Sequence, residues 1–75
     1  MTDRIRLEEA THEIRAAMGS KPVRIWSREH GSWWRTFGHG YTSLEARAWV
    51  LPLGEAWRHT SHCGPEKGIE FEVVA

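Results

Sequence analysis

Val23-Arg24-Ile25-Trp26-Ser27-Arg28, then Glu29-His30-Gly31-Ser32, then Trp33-Trp34-Arg35-Thr36-Phe37: these consecutive segments decide how the chain is read. The first alternates apolar and polar residues, the period of a half-buried strand. The second has the length and residue types of a hairpin turn. The third predicts a second strand, aromatic on both faces. Successive strand side chains point to opposite faces, so Trp33 and Trp34 must diverge, at least one toward a core and the other half exposed. By the same parity Arg24, Trp26 and Arg28 share one face of the first strand, and Trp33 and Arg35 share one face of the second.

Beyond the hairpin, Gly38-His39-Gly40 is a break in which glycine supplies positive φ, and Tyr41-Thr42 starts a short third strand. Residues 44–51 stay ambiguous, with helical propensity in Leu44-Glu45-Ala46-Arg47-Ala48-Trp49 but little room. Pro52 suits the first turn of a helix over 52–62, whose buried stripe is Leu53, Ala56, Trp57 and Thr60. Cys63-Gly64-Pro65 ends it and Glu66-Lys67-Gly68 is a turn. Ile69-Glu70-Phe71-Glu72-Val73 alternates strictly, which turns Ile69, Phe71 and Val73 inward and leaves Glu70 and Glu72 as the solvated side of an edge or outer strand.

Upstream, Leu7, Ala10, Ile14, Ala17 and Met18 recur at spacings of three and four. They predict a helix over 2–18, capped by Thr2 or Asp3, closed by Gly19 and laid over the sheet, with Glu8, Glu9 and Glu13 on its solvated face. The order α-β-β-(β)-α-β predicts an α+β fold, a small three- to four-stranded antiparallel sheet packed against two helices.

Seventy-five residues imply one domain, 1–75, with a small core. Ten Lys plus Arg balance ten Asp plus Glu, which argues against strong non-specific nucleic-acid binding and equally against an acidic DNA mimic. No apolar run approaches a membrane span, and MTDRIRLEEATHEIR has no apolar core of a signal peptide. One cysteine, Cys63, excludes an internal disulfide framework and suits a reducing cytoplasm. Five Trp, and eight Arg against two Lys, suit both a core built from large pieces and a binding face.

The run IWSREHGSWWRTFGHGYTS, residues 25–43, resembles a recurrent pattern in small uncharacterised proteins of phages and prophages. Its elements are Ile25-Trp26-Ser27, Glu29-His30, Trp33-Trp34-Arg35 and Gly40-Tyr41-Thr42. In the family a segment containing Ala-Gly, an aromatic and Glu-Ala usually follows; Ala48 and Glu55-Ala56 match its ends, while Trp49 stands where the Gly would be and Leu51 where the aromatic would be. The resemblance covers about half the chain. It implies a phage-derived origin and a bacterial host's cytoplasm. By size, origin and binding-rich composition the chain looks like an anti-CRISPR protein, a class of phage inhibitors that bind Cas effector complexes.

The residues themselves offer several chemistries. Arg24, Trp26, Arg28, Arg35 and Tyr41 form a candidate partner-binding face, with Arg for bidentate carboxylate contacts and rings as anchors. The same residues suit stacked nucleobases and neutralised phosphates, as in a small nucleic-acid-binding phage accessory module, or cross-strand pairs that only stabilise the sheet. Residues 22–42 sum to plus two, a mild patch that favours a host protein over nucleic acid. A monomer and a homodimer are both compatible with it. His59, His62 and Cys63, completed by His30 or His39, are a weak zinc candidate because one thiol without a Cys-x-x-Cys pair makes a poor structural site. They read more simply as helix-end residues, so neither metal nor other cofactor is expected. Cys63 with His59 or His62 lacks an orienting third group and an oxyanion hole, so no enzyme is expected either. Gly38-His39-Gly40 is too short for a phosphate loop.

Overall fold

The computed structural model describes residues 4–74. Among them six strands form one antiparallel sheet: β1 (Arg4–Arg6), β2 (Pro22–Ser27), β3 (Ser32–Trp34), β4 (Tyr41–Thr42), β5 (Val50–Pro52) and β6 (Ile69–Val73). The strand order is β1-β6-β2-β3-β4, with β5 paired to β2 at the end opposite β3. Two α-helices accompany the sheet, α1 (His12–Met18) and α2 (Leu53–Thr60), so the α+β class holds.

The sheet has more strands than the three or four expected, and the additions are β1 and β5. β1 lies inside the predicted 2–18 helix. Arg4-Ile5-Arg6 pairs with Glu72-Phe71-Glu70 in register, so Ile5 meets Phe71 over the core and each arginine faces a carboxylate. Those cross-strand contacts outweigh a helical stripe that has few apolar residues at its start. After a 3-10 turn at Leu7–Glu9, the helix begins at Thr11, whose hydroxyl accepts from the Ile14 N–H at 3.3 Å. The expected caps Thr2 and Asp3 lie outside the described residues. Gly19 does follow the helix, in right-handed conformation.

In the ambiguous 44–51 stretch, a 3-10 turn at Glu45–Arg47 precedes β5. The second hairpin strand is shorter than expected: β3 ends at Trp34 and the chain folds into a turn at Thr36–Gly38. The predicted 52–62 helix spans Leu53–Thr60, with Pro52 closing β5 and standing just before the helix rather than in its first turn.

The core lies between one sheet face and α2. Val23, Ile25, Ile69 and Phe71 come from the sheet, Leu51 from β5, Leu53 and Ala56 from α2, and Ala10 from the loop before α1; all are buried. Each large apolar side chain so buried contributes about 1.5–3 kcal/mol. α2, rather than α1, is the cover: α1 has no fully buried residue and sits beside α2. The two helices meet where the Gly54 N–H donates to the Gly19 carbonyl at 3.0 Å, and a Cβ on Gly54 would sit 3.4 Å from that oxygen. Trp57 is half-buried at the core margin, its ring 3.7 Å from the Arg15 guanidinium.

The strict alternation of β6 is correct in parity, but the carboxylate face is not solvated. β6 runs between β1 and β2, and Glu72 is only 4% exposed.

Candidate protein-interaction site

The outer face of the sheet, away from α2, collects most of the residues singled out in the sequence. Across it Arg6, Glu70, Trp26, Trp33 and Thr42 form one row of cross-strand neighbours, and Arg4, Glu72, Arg24 and Val50 another. Arg4 donates to Glu72 through Nε at 3.3 Å and Nη2 at 3.1 Å, and its Nη1 lies 3.5 Å from Glu70. Arg24 Nη1 lies 3.3 Å from Glu72 and 3.1 Å from Glu45. Arg28 reaches Glu70 at 3.8 Å. Trp26 packs edge-on against Trp33 with centroids 4.9 Å apart, and the Arg4 guanidinium lies 4.5 Å over its ring.

Arg24, Trp26 and Arg28 are therefore brought together, but each already has partners within the chain. Of the hairpin's three arginines, Arg24 and Arg28 are met by carboxylates from β6 and from the 45–47 turn. Tyr41 lies elsewhere: it pairs with Trp34, on the opposite face from Trp33, stacks on His30 at 3.9 Å and is 42% exposed. All five Trp are half-buried, with Trp34, Trp49 and Trp57 packed against the core.

Arg35 stands at a different place, the start of the turn after β3. Its N–H donates to the Gly40 carbonyl at 2.9 Å, its carbonyl accepts from the Gly38 N–H at 2.8 Å, and it forms an antiparallel bridge with Ala48. Gly38 and Gly40 both have positive φ, and so does Phe37 between Arg35 and Gly38, at φ 57. A non-glycine residue in the left-handed region costs about 1–2 kcal/mol. Phe37 does not recover this by burial, since it is 72% exposed, with its ring 5.6 Å from Trp49. Facing it is the 45–47 turn, closed by Arg47 N–H to Leu44 carbonyl at 2.9 Å and Ala48 N–H to Glu45 carbonyl at 3.1 Å. Between the turns lies an open cleft of about 620 Å³ lined by Arg35, Phe37, His39, Ala46, Arg47 and Ala48. Arg35 and Arg47 are exposed and take part in no ion pair among the described residues.

Sequence reasoning found Arg35 but missed Phe37, His39 and Arg47 as its companions. The closely spaced glycines at 38 and 40 were the available signal, marking a backbone that turns sharply beside an aromatic residue. Nothing local tied 35–39 to 46–48.

The weak metal candidates are dispersed by comparison. Cys63 Sγ lies 3.9 Å from His62 Nε2, while the His59 ring packs edge-on to Trp49 at 4.9 Å. Among the described residues no three His, Cys, Asp or Glu side chains gather where a metal ion could be held. Burial pushes the half-buried Cys63 thiol above the ordinary thiol range, with Lys67 opposing and Glu66 reinforcing the shift. Among the described residues no helix is long and apolar enough to cross a membrane. Compared with known proteins, the chain matches no family model, no curated protein and no solved structure.

Proposed function

We propose that this chain is a non-catalytic, phage-type binding protein that inhibits a host machine by protein–protein contact in the bacterial cytoplasm, most concretely an anti-CRISPR protein seated on a Cas effector complex. The observation that carries a binding role is Phe37, a large aromatic held in a strained conformation and left 72% exposed beside two arginines. Strain of this kind persists where the surrounding structure imposes it, and it concentrates at functional sites. Aromatic and arginine side chains are also the residues that dominate interface energetics. The docking end is therefore the β3–β4 end of the sheet, with Arg35, Phe37 and Tyr41. Arg24, Trp26 and Arg28 form a self-paired scaffold behind it. The phage assignment rests on the sequence resemblance over residues 25–43.

The test is phage plating on bacteria whose CRISPR immunity targets that phage. Expression of this chain should raise plating efficiency toward that of a host without immunity. Unchanged plating across hosts carrying different effector types sinks the inhibitor assignment.

A further inference from the structure

Eight arginines are distributed over this small chain, and the structure uses them unequally. Arg4, Arg24 and Arg28 are held by Glu45, Glu70 and Glu72. Arg15 lies over Trp57 and donates to the Ala10 carbonyl. Arg6, Arg35, Arg47 and Arg58 form no ion pair among the described residues. Arg58 lines a cleft that also contains Glu55, whereas Arg35 and Arg47 line a cleft with no acidic residue. Two guanidinium groups without an ion pair among the described residues thus line a common space with His39 as a further nitrogen donor.

Resting on the assignment of this end of the sheet as the docking surface, we infer that the cleft between residues 35–39 and 46–48 receives an acidic peptide segment of the partner. Carboxylates of that segment pair with Arg35 and Arg47, and an apolar side chain packs on Phe37. The planar guanidinium fork matches a carboxylate bidentately, which supplies orientation as well as attraction. The walls are fixed in advance. The two turns are each closed by backbone hydrogen bonds and joined by the Arg35–Ala48 bridge, and the Trp49 N–H donates to the Trp34 carbonyl at 3.0 Å directly behind them. A receptor already in its bound shape loses little freedom on binding. Phe37, 72% exposed, offers apolar contact in the cleft.

Peptide carboxylates fit better than a phosphodiester chain. The chain's net charge is zero, which provides no long-range field to gather nucleic acid. The fork of each lining arginine takes a single carboxylate bidentately, and an apolar residue beside those carboxylates meets the exposed Phe37.

The probe is a blocked hexapeptide alternating Glu and Phe, titrated into the ¹⁵N-labelled full chain and followed by amide shifts. Saturable shifts clustered at residues 35–39 and 44–49 are expected, and Arg35→Glu with Arg47→Glu should weaken binding about tenfold or more. Both arginines are exposed, so retained dispersion at the remaining amides shows that this variant is folded. The inference is overturned by absence of saturable shifts at millimolar peptide, by an equal response to the Gln-for-Glu peptide, or by an oligothymidylate that binds the same amides more tightly with steep salt dependence. In the plating assay, full inhibition by the double variant overturns the cleft assignment while leaving the inhibitor function standing. Failure of the native chain to inhibit overturns that function while a positive peptide titration still supports the cleft.

Discussion

Replacing Glu72 by Gln keeps the shape of a side chain that is 4% exposed but removes its charge. The native carboxylate accepts three hydrogen bonds from Arg4 and Arg24, at 3.3, 3.1 and 3.3 Å. Removing one partner from a buried ionic group typically costs about 3–5 kcal/mol because the other charge is stranded. Here the arginine side chains are 33% and 19% exposed and keep Glu70 and Glu45 as second partners, so water and those carboxylates recover part of the loss. The expected destabilisation is therefore about 2 kcal/mol, or roughly 8–16 °C in Tm for a domain of this size. Chemical denaturation followed by tryptophan fluorescence measures it directly. Combining Glu72→Leu with Arg4→Met and Arg24→Met should recover much of the stability, because a packed apolar cluster needs no charge compensation. A Glu72→Gln chain within about 0.5 kcal/mol of the native one would refute the claim that this network holds β1 and β2 to β6.

Gly68→Ala should destabilise the fold by about 1–2 kcal/mol, since φ is +59 and the new Cβ would lie 2.7 Å from the Arg28 Cβ; denaturant titration checks it. Phe37→Asn should leave stability within about 1 kcal/mol of native, because relief of left-handed strain offsets the lost Trp49 contact, yet it should abolish inhibition in the plating assay. Thr11→Ala should cost about 1 kcal/mol by removing the acceptor for the Ile14 N–H, read as a lower denaturation midpoint. Cys63 should be alkylated more slowly near neutral pH than a free thiol, because burial raises its pKa. As pH rises, the folded chain retains a proton on Cys63 that the unfolded chain loses first. This contribution to stability is present below the ordinary thiol pKa and lost as pH rises through the raised one, measurable as a stability difference from Cys63→Ser that narrows in alkali.

The hairpin was legible because its signals are local. Alternation in Val23–Ser27 and the turn residues that follow identify the two strands, but the pairs Ser27↔Ser32 and Trp26↔Trp33 set the turn at 28–31, one residue earlier than the Glu29–Ser32 turn read from the sequence. β1 was hidden because three residues cannot distinguish a period of two from a helical stripe. Its signal was non-local: Arg4-Ile5-Arg6 is complementary to Glu70-Phe71-Glu72, more than sixty positions away. The same separation disguised Glu70 and Glu72 as a solvated face. The candidate site was half visible for a related reason. Arg35 belongs to the hairpin pattern, whereas Arg47 joins it only through the Arg35–Ala48 bridge.

Local periodicity and turn chemistry thus determined the α+β class, the central hairpin, α2 with its buried stripe and the inward parity of β6. Tertiary structure decided which charges remain free. A sequence can count arginines, but an ion pair depends on which strands become neighbours, and neighbours here come from opposite ends of the chain. Docking β6 between β1 and β2 neutralises Arg4, Arg24 and Arg28, and leaves Arg35 and Arg47 beside an exposed Phe37.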